Sequence, residues 1–191
     1  MTALHIPFPT DRILVGGEWL APASGRTLTL EDPSDGSALA SIARGDASDV
    51  DAAVRAARAA VECTLAGPNN GSKPWGAFSA LERGRVLMAI SARVLEHTEL
   101  LARLEVHDVG KPLRQARADA VALARYFEFY GGACDKVHGQ TLPFAAGYTA
   151  LTLREPHGVT GHIVPWNYPM QIVGRSVGAA LAMGNACVLK P

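Results

Sequence analysis

The 191-residue chain has no excess of either charge, with 18 Lys and Arg against 18 Asp and Glu. Phosphate backbones and anionic bilayers bind through a basic surplus, so nucleic acid and membrane are excluded as main partners. Cysteine is scarce. Cys63, Cys134 and Cys187 are odd in number and far apart, which fits neither a disulfide framework nor a zinc spacing. None of the six histidines forms an H-x-x-x-H pair, so no transition-metal site is indicated. No apolar run approaches the ~20 residues of a membrane span. The start, MTALHIPFPTDR, lacks the basic-then-apolar order of a secretory leader. Repeats, low-complexity tracts and the G-x-G-x-x-G dinucleotide fingerprint are also missing. With 48% hydrophobic and 19% charged residues, the chain can build a core, and the expected setting is cytoplasmic.

The pattern along the chain changes three times. Residues 12–15, 18–20, 27–30 and 38–43 read as short strands separated by Gly/Pro/Asp turns, an antiparallel edge assembly. Helical spacing follows. The first helix is expected over 50–62 with Ser48 as its cap, and residues 67–76 form a loop. A helix over 80–97 should turn Leu81, Leu87, Met88 and Leu95 inward. Another spans 99–109, closed by Gly110, and a long one spans 113–130, with Ala116, Ala120, Ala124 and Phe127 on one face and Gly131-Gly132 as its end. Residues 137–142 and 148–154 read as a hairpin around a Pro/Gly turn. Finally 159–164, 170–183 and 186–189 read as strand, helix and strand, a βαβ unit with a parallel pair. In that helix Gly174 and Gly178 are expected to permit close packing on the sheet.

The chemistry-bearing residues lie at the carboxyl ends of those two strands, where open α/β sheets collect ligands. In Pro165-Trp166-Asn167-Tyr168-Pro169, two prolines pin a loop around one asparagine. Asn167 has two readings: an Asx turn capping the next helix, the commoner use of the residue, or a rigid amide donor to a developing oxyanion. Lys190 likewise reads as a solvated strand-end lysine or as a donor to a nucleotide's hydroxyls or phosphate. Cys187 lies in an apolar strand, and Cys63 and Cys134 near helix C-termini. Neither environment favours a thiolate.

Seven stretches in order carry a resemblance to one family. They are GGEW at 16–19, EDPSDG at 31–36, GDASDVDAAVRAARAA at 45–60, LERGRVL at 81–87, LEVHDVGKPLRQAR at 104–117, REPHGVTGHIVPWNYP at 154–169 and GNACVLKP at 184–191. Together they resemble the aldehyde dehydrogenase family over essentially the whole chain. The resemblance implies an α/β fold of that family's N-terminal portion: antiparallel edge strands, helices, a hairpin arm and the first βαβ of a Rossmann-like parallel sheet. It divides the chain into 1–136, the strand and helical part of the cofactor-binding domain; 137–156, an oligomerisation-type hairpin; and 157–191, the start of the cofactor-binding sheet.

It also implies NAD(P)+-dependent oxidation of a small aldehyde to a carboxylic acid, in a homo-oligomer, dimer or tetramer. A cysteine thiolate attacks the aldehyde, hydride leaves to NAD or NADP, and a glutamate-activated water hydrolyses the thioester. Asn167 matches the oxyanion-stabilising asparagine and Lys190 the lysine on the adenosine ribose. Ile163, Val164, Pro165 and Trp166 match positions along the cofactor, and Asp108 an acidic position that in some members helps hold a monovalent cation. The asparagine favours a dehydrogenase over a reductase acting on an acyl derivative. Two departures stand out. Ser176, with Arg175 beside it, occupies a position where the family often has lysine, and the family's cysteine and glutamate motifs have no counterpart in these residues. Residues 1–191 alone are therefore expected to be inactive and prone to association. An inactive remnant or a subunit-binding fragment is the alternative reading.

Overall fold

The computed structural model describes residues 6–62 and 73–191, so Cys63 and most of the expected 67–76 loop lie outside the described residues. Strands β1 (Ile13–Val15) and β2 (Glu18–Leu20) form one antiparallel hairpin. Strands β3 (Thr27–Glu31) and β4 (Ala38–Ala43) form a second. In the connection, Asp32 accepts from the Ser34 amide at 2.8 Å, and its other oxygen meets His107 Nδ1 at 2.6 Å, which ties the loop to a later helix.

Helix α1 (Ala47–Glu62) starts earlier than expected, and its cap is Asp46, not Ser48. The Asp46 carboxylate accepts from the Ser48 amide at 2.9 Å, while Asp49 reaches back to the Asp46 amide at 2.9 Å. Asp46 thus caps the second amide of the helix while Asp49 satisfies the amide of the cap residue itself. A 3-10 turn (Trp75–Ala77) then leads to α2 (Ala80–Glu96), where Ser79 and Glu82 form a capping box.

Of the four α2 side chains expected inward, only Leu87 is buried; Leu81, Met88 and Leu95 are exposed. The inward stripe is Gly84, Leu87 and Ser91. Small residues won that face because α4 (Leu113–Ala133) crosses it closely. A Cβ at Gly84 would stand 2.7 Å from the Gly131 carbonyl oxygen. Helix α4 accordingly runs through Gly131-Gly132 instead of stopping there. Its expected face of Ala116, Ala120, Ala124 and Phe127 is buried. Between α2 and α4, α3 (Thr98–Val109) ends on Gly110 in the left-handed region, φ 78°.

The hairpin exists but is short. Strands β5 (Thr141–Leu142) and β6 (Ala150–Leu151) pair over two residues each. Phe144, Tyr148, Leu151 and Leu153 are exposed, so no apolar face buries them and holds a longer ladder.

Strand β7 (Val159–Ile163), helix α5 (Pro169–Ala182) and strand β8 (Ala186–Lys190) form the βαβ unit, and β7 pairs with β8 in parallel. Gly174 and Gly178 do permit close packing, though against α4 and not the sheet: a Cβ there would meet Tyr126 at 2.9 Å and Tyr130 at 3.0 Å. Leu87, Leu123, Phe127, Cys134 and Ala182 form the core between α2, α4 and α5. The helix that carries the candidate loop is thus braced on a helical layer.

Candidate functional site

Parallel pairing sets Ile163 opposite Lys190, and the Val164 amide donates to the Lys190 carbonyl at 3.0 Å. The ends of both strands therefore share one edge. Ile163, Val164, Pro165, Trp166, Asn167 and Lys190 gather there, as the strand order requires. Val164 is buried beneath it, whereas Ile163 is 83% and Trp166 78% exposed. Lys190 and Asn167 are exposed as well. Two large apolar side chains facing outward beside a cation make a surface suited to a flat ring and a polar or anionic group.

The Asx-turn reading of Asn167 is not realised. Tyr168, not Asn167, is the N-cap of α5, and no side chain caps that helix. Among the described residues, no hydrogen-bond partner engages the Asn167 amide. A neutral donor without an internal partner is available to an oxygen outside the chain.

Beneath the loop lies a polar cluster that the sequence reading did not single out. Lys111 is 8% exposed and bonds Asp119 at 2.6 Å and Glu105 at 3.0 Å. Burial opposes its charge, but the bonds to Asp119 and Glu105 outweigh it and hold its pKa above the ordinary lysine value. Glu105 responds differently. Burial dominates and pushes its carboxyl up, and its Oε2 has no partner. Asp119 also accepts from Gln171 of α5 at 2.7 Å, and Gln115 donates to the Tyr168 hydroxyl at 2.9 Å.

A second brace holds the start of β8. Asn185 is buried, accepts from the Gly158 amide at 3.0 Å and donates to the Ala180 carbonyl at 3.1 Å. Trp75 donates to the Asn185 carbonyl at 3.0 Å, and Arg83 Nε donates to the Ala182 carbonyl at 3.1 Å. Asn185 could have been found from sequence as the residue after a helix-ending glycine. Arg83 could not, because the Ala182 carbonyl it reaches lies 99 residues away, although its other partner, the Phe78 carbonyl, is local.

Asp108 lines a groove with Leu104, Glu105, Pro169 and Met170. It is exposed as a residue, yet its surroundings desolvate the carboxyl and push its pKa up. Arg175 donates to the Tyr126 hydroxyl at 2.8 Å and to Gln171 at 2.9 Å, while Ser176 bonds back to the Ile172 carbonyl at 2.8 Å. Ser176 therefore offers no cation where the family often has lysine. Burial raises the thiol pKa of both Cys134 and Cys187, so neither is an activated nucleophile.

A parallel strand pair joined by a helical crossover, with an amide and a lysine at its carboxyl ends, defines the class: an α/β protein with a βαβ unit. Comparison with known proteins narrows it. The model of the aldehyde dehydrogenase family matches residues 19–191, and the chain belongs to that family. It is 44% identical over 178 residues to a hydroxyisobutyraldehyde dehydrogenase of Mycolicibacterium austroafricanum, covering 93% of this chain and 33% of that protein. It is 43% identical over 180 residues to aldehyde dehydrogenase family 2 member B4, mitochondrial, of Arabidopsis thaliana, covering 94% and 32%. The chain thus spans about a third of the length of these curated relatives. Among solved structures, an NAD+ complex of a Bacillus cereus aldehyde dehydrogenase superposes with a TM-score of 0.87 at 35% identity, over 96% of this chain and 36% of that one. Among the described residues, no helix is long and apolar enough to cross a membrane.

Proposed function

We propose that residues 1–191 supply the oxyanion donor and part of the cofactor wall of an NAD(P)+-dependent aldehyde dehydrogenase. The observation that carries the reading is the shared edge: register places Lys190 beside Ile163, and the loop bearing the unpartnered Asn167 leaves from that same point. The exposed Ile163 and Trp166 side chains, with Pro165 and the Val164 backbone, fit one wall of a dinucleotide. Lys190 fits its ribose hydroxyls. When bound, the dinucleotide accepts hydride. The work of this chain is positional. Asn167 Nδ2 donates to the aldehyde oxygen as a nucleophile attacks, so negative charge develops against a fixed dipole instead of mobile water. The nucleophile and the base that activates water come from the family's cysteine and glutamate motifs, which Cys134 and Cys187 do not replace.

Two finer assignments belong to the same reading. Asp108 would share a monovalent cation with neighbouring oxygens. The exposed β5–β6 hairpin, with Phe144, Tyr148, Leu151 and Leu153 outward, would join subunits of a homo-oligomer. The compartment proposed is the cytoplasm, where unpaired thiols persist.

The experiment is NADH formation by purified 1–191 with aliphatic and aromatic aldehydes, with and without thiol blocking. No turnover is expected, because an oxyanion donor alone forms no covalent intermediate. Turnover abolished by blocking Cys187 would overturn the assignment. In a chain that also carries the cysteine and glutamate motifs, Asn167→Ala should lower kcat by ~10²–10³.

A further inference from the structure

We infer that Lys111 is the positioning residue of the Pro165–Pro169 loop, acting through the ring of Tyr168 to fix the direction of Asn167. The loop has little else to hold it. Pro165 and Pro169 have no amide hydrogen, and among the described residues the Asn167 side chain has no internal partner. The connections that reach the loop run through its ends. At one end the Val164 amide bonds the Lys190 carbonyl at 3.0 Å; at the other the Ile172 amide bonds the Tyr168 carbonyl at 3.0 Å. Between them, the side chain that reaches the helical layer is Tyr168. Its ring lies over the Lys111 ammonium, 4.3 Å from nitrogen to ring centroid, and its hydroxyl accepts from Gln115 at 2.9 Å.

A cation under a ring holds it only if the cation is itself fixed. Lys111 is, since Asp119 at 2.6 Å and Glu105 at 3.0 Å occupy its ammonium from α4 and α3. Asp119 closes the circuit by accepting from Gln171 in the first turn of α5 at 2.7 Å. Each element that could let the loop drift is therefore tied to one nitrogen: α3 through Glu105, α4 through Asp119, the loop through Tyr168, and α5 through Asp119 and Gln171. Cation–π attraction strengthens where the cation is desolvated, and Lys111 is nearly buried. The direction of an oxyanion donor matters because its energy depends on being aimed before charge develops. That last consequence rests on the proposed function. The ordering of the loop does not, and it can be measured without turnover.

The test is backbone ¹⁵N relaxation of selectively labelled 1–191, below the concentration at which it associates, at Trp166, Asn167 and Tyr168. Leu123 and Ala124 of α4 serve as internal reference. In the native chain the order parameters should match rigid backbone, ~0.85. Lys111→Met should drop them below ~0.6 at 166–168 with α4 unchanged. Lys111→Arg keeps a cation under the ring and should restore order, which a purely packing role for Lys111 would not predict. Because Lys111→Met strips the cation from two buried carboxylates and can unfold the chain, Tyr168→Leu is the deciding variant. It leaves the Lys111, Glu105 and Asp119 group intact and removes the ring, and it should loosen the loop as Lys111→Met does. Tyr168→Phe, which loses only the Gln115 bond, should stay near the native value. A loop that remains rigid in Tyr168→Leu, or is already mobile in the native chain, overturns the inference. Unchanged aldehyde chemistry in the complete enzyme with a loosened loop would instead count against the proposed function.

Discussion

A methyl group at Gly84 should push α2 and α4 apart, although alanine is the better helix former. Replacing a helix-interior glycine by alanine ordinarily gains ~0.8–1 kcal/mol, because glycine loses the most backbone freedom on folding. At Gly84 the new Cβ would stand 2.7 Å from the Gly131 carbonyl oxygen. That atom is backbone of a packed helix, so it has no rotamer to escape into, and overpacking of this kind costs ~1–3 kcal/mol. The opposing terms leave Gly84→Ala destabilised by up to ~2 kcal/mol. Gly132 is the matched control on the partner helix. Its nearest atom is the Met88 Cε at 3.8 Å, the flexible end of a side chain, so alanine there meets ordinary contact. Gly132→Ala should therefore keep the propensity gain and stabilise by up to ~1 kcal/mol. Urea unfolding followed by circular dichroism reads both as shifts in midpoint with unchanged slope. In thermal unfolding each kcal/mol moves the midpoint by ~2–4 °C for a chain of this size. If Gly84→Ala proves as stable as Gly132→Ala, close approach of the two helices does not constrain residue 84, and the account of this layer fails.

Two further expectations concern the braces. Asn185→Ala leaves the partly buried Gly158 amide without its side-chain acceptor and should cost up to ~1–3 kcal/mol, with faster hydrogen exchange at that amide; unchanged exchange would show that Asn185 does not hold β7 to the end of α5. For Glu82, bonds from Lys73 and Ser79 lower the pKa from 4.5 to about 2. A depressed carboxylate stabilises the fold above its unfolded pKa and loses that contribution as pH falls through the folded one. The loss should thus fall between about pH 4.5 and 2, and Glu82→Gln should flatten the acid limb over that window in pH-dependent unfolding.

Much of this protein was legible one stretch at a time. Turn chemistry at Gly16-Gly17 and 33–36 separated the early strands, helical spacing exposed the buried face of α4, and strand–helix–strand order after residue 158 placed Asn167 and Lys190 at one edge. These features depend on neighbours a few residues apart, and local periodicity records them. Choices between similar local options were settled only by tertiary packing. Leu81, Met88 and Leu95 match helical spacing as well as Leu87 does, but the approach of α4 favoured the stripe containing Gly84 and Ser91, because a close crossing rewards small volume over apolarity. Asp46 displaced Ser48 as the cap of α1 because Asp49 bonds back to the Asp46 amide and also receives the Ala23 amide at 2.9 Å from a distant turn. The joining of Lys111, Asp119, Gln171 and Tyr168 has no local signature at all. Each is an ordinary polar residue in its own segment, and only the alignment of α3, α4 and α5 brings them within reach, where mutual bonding offsets the cost of leaving water.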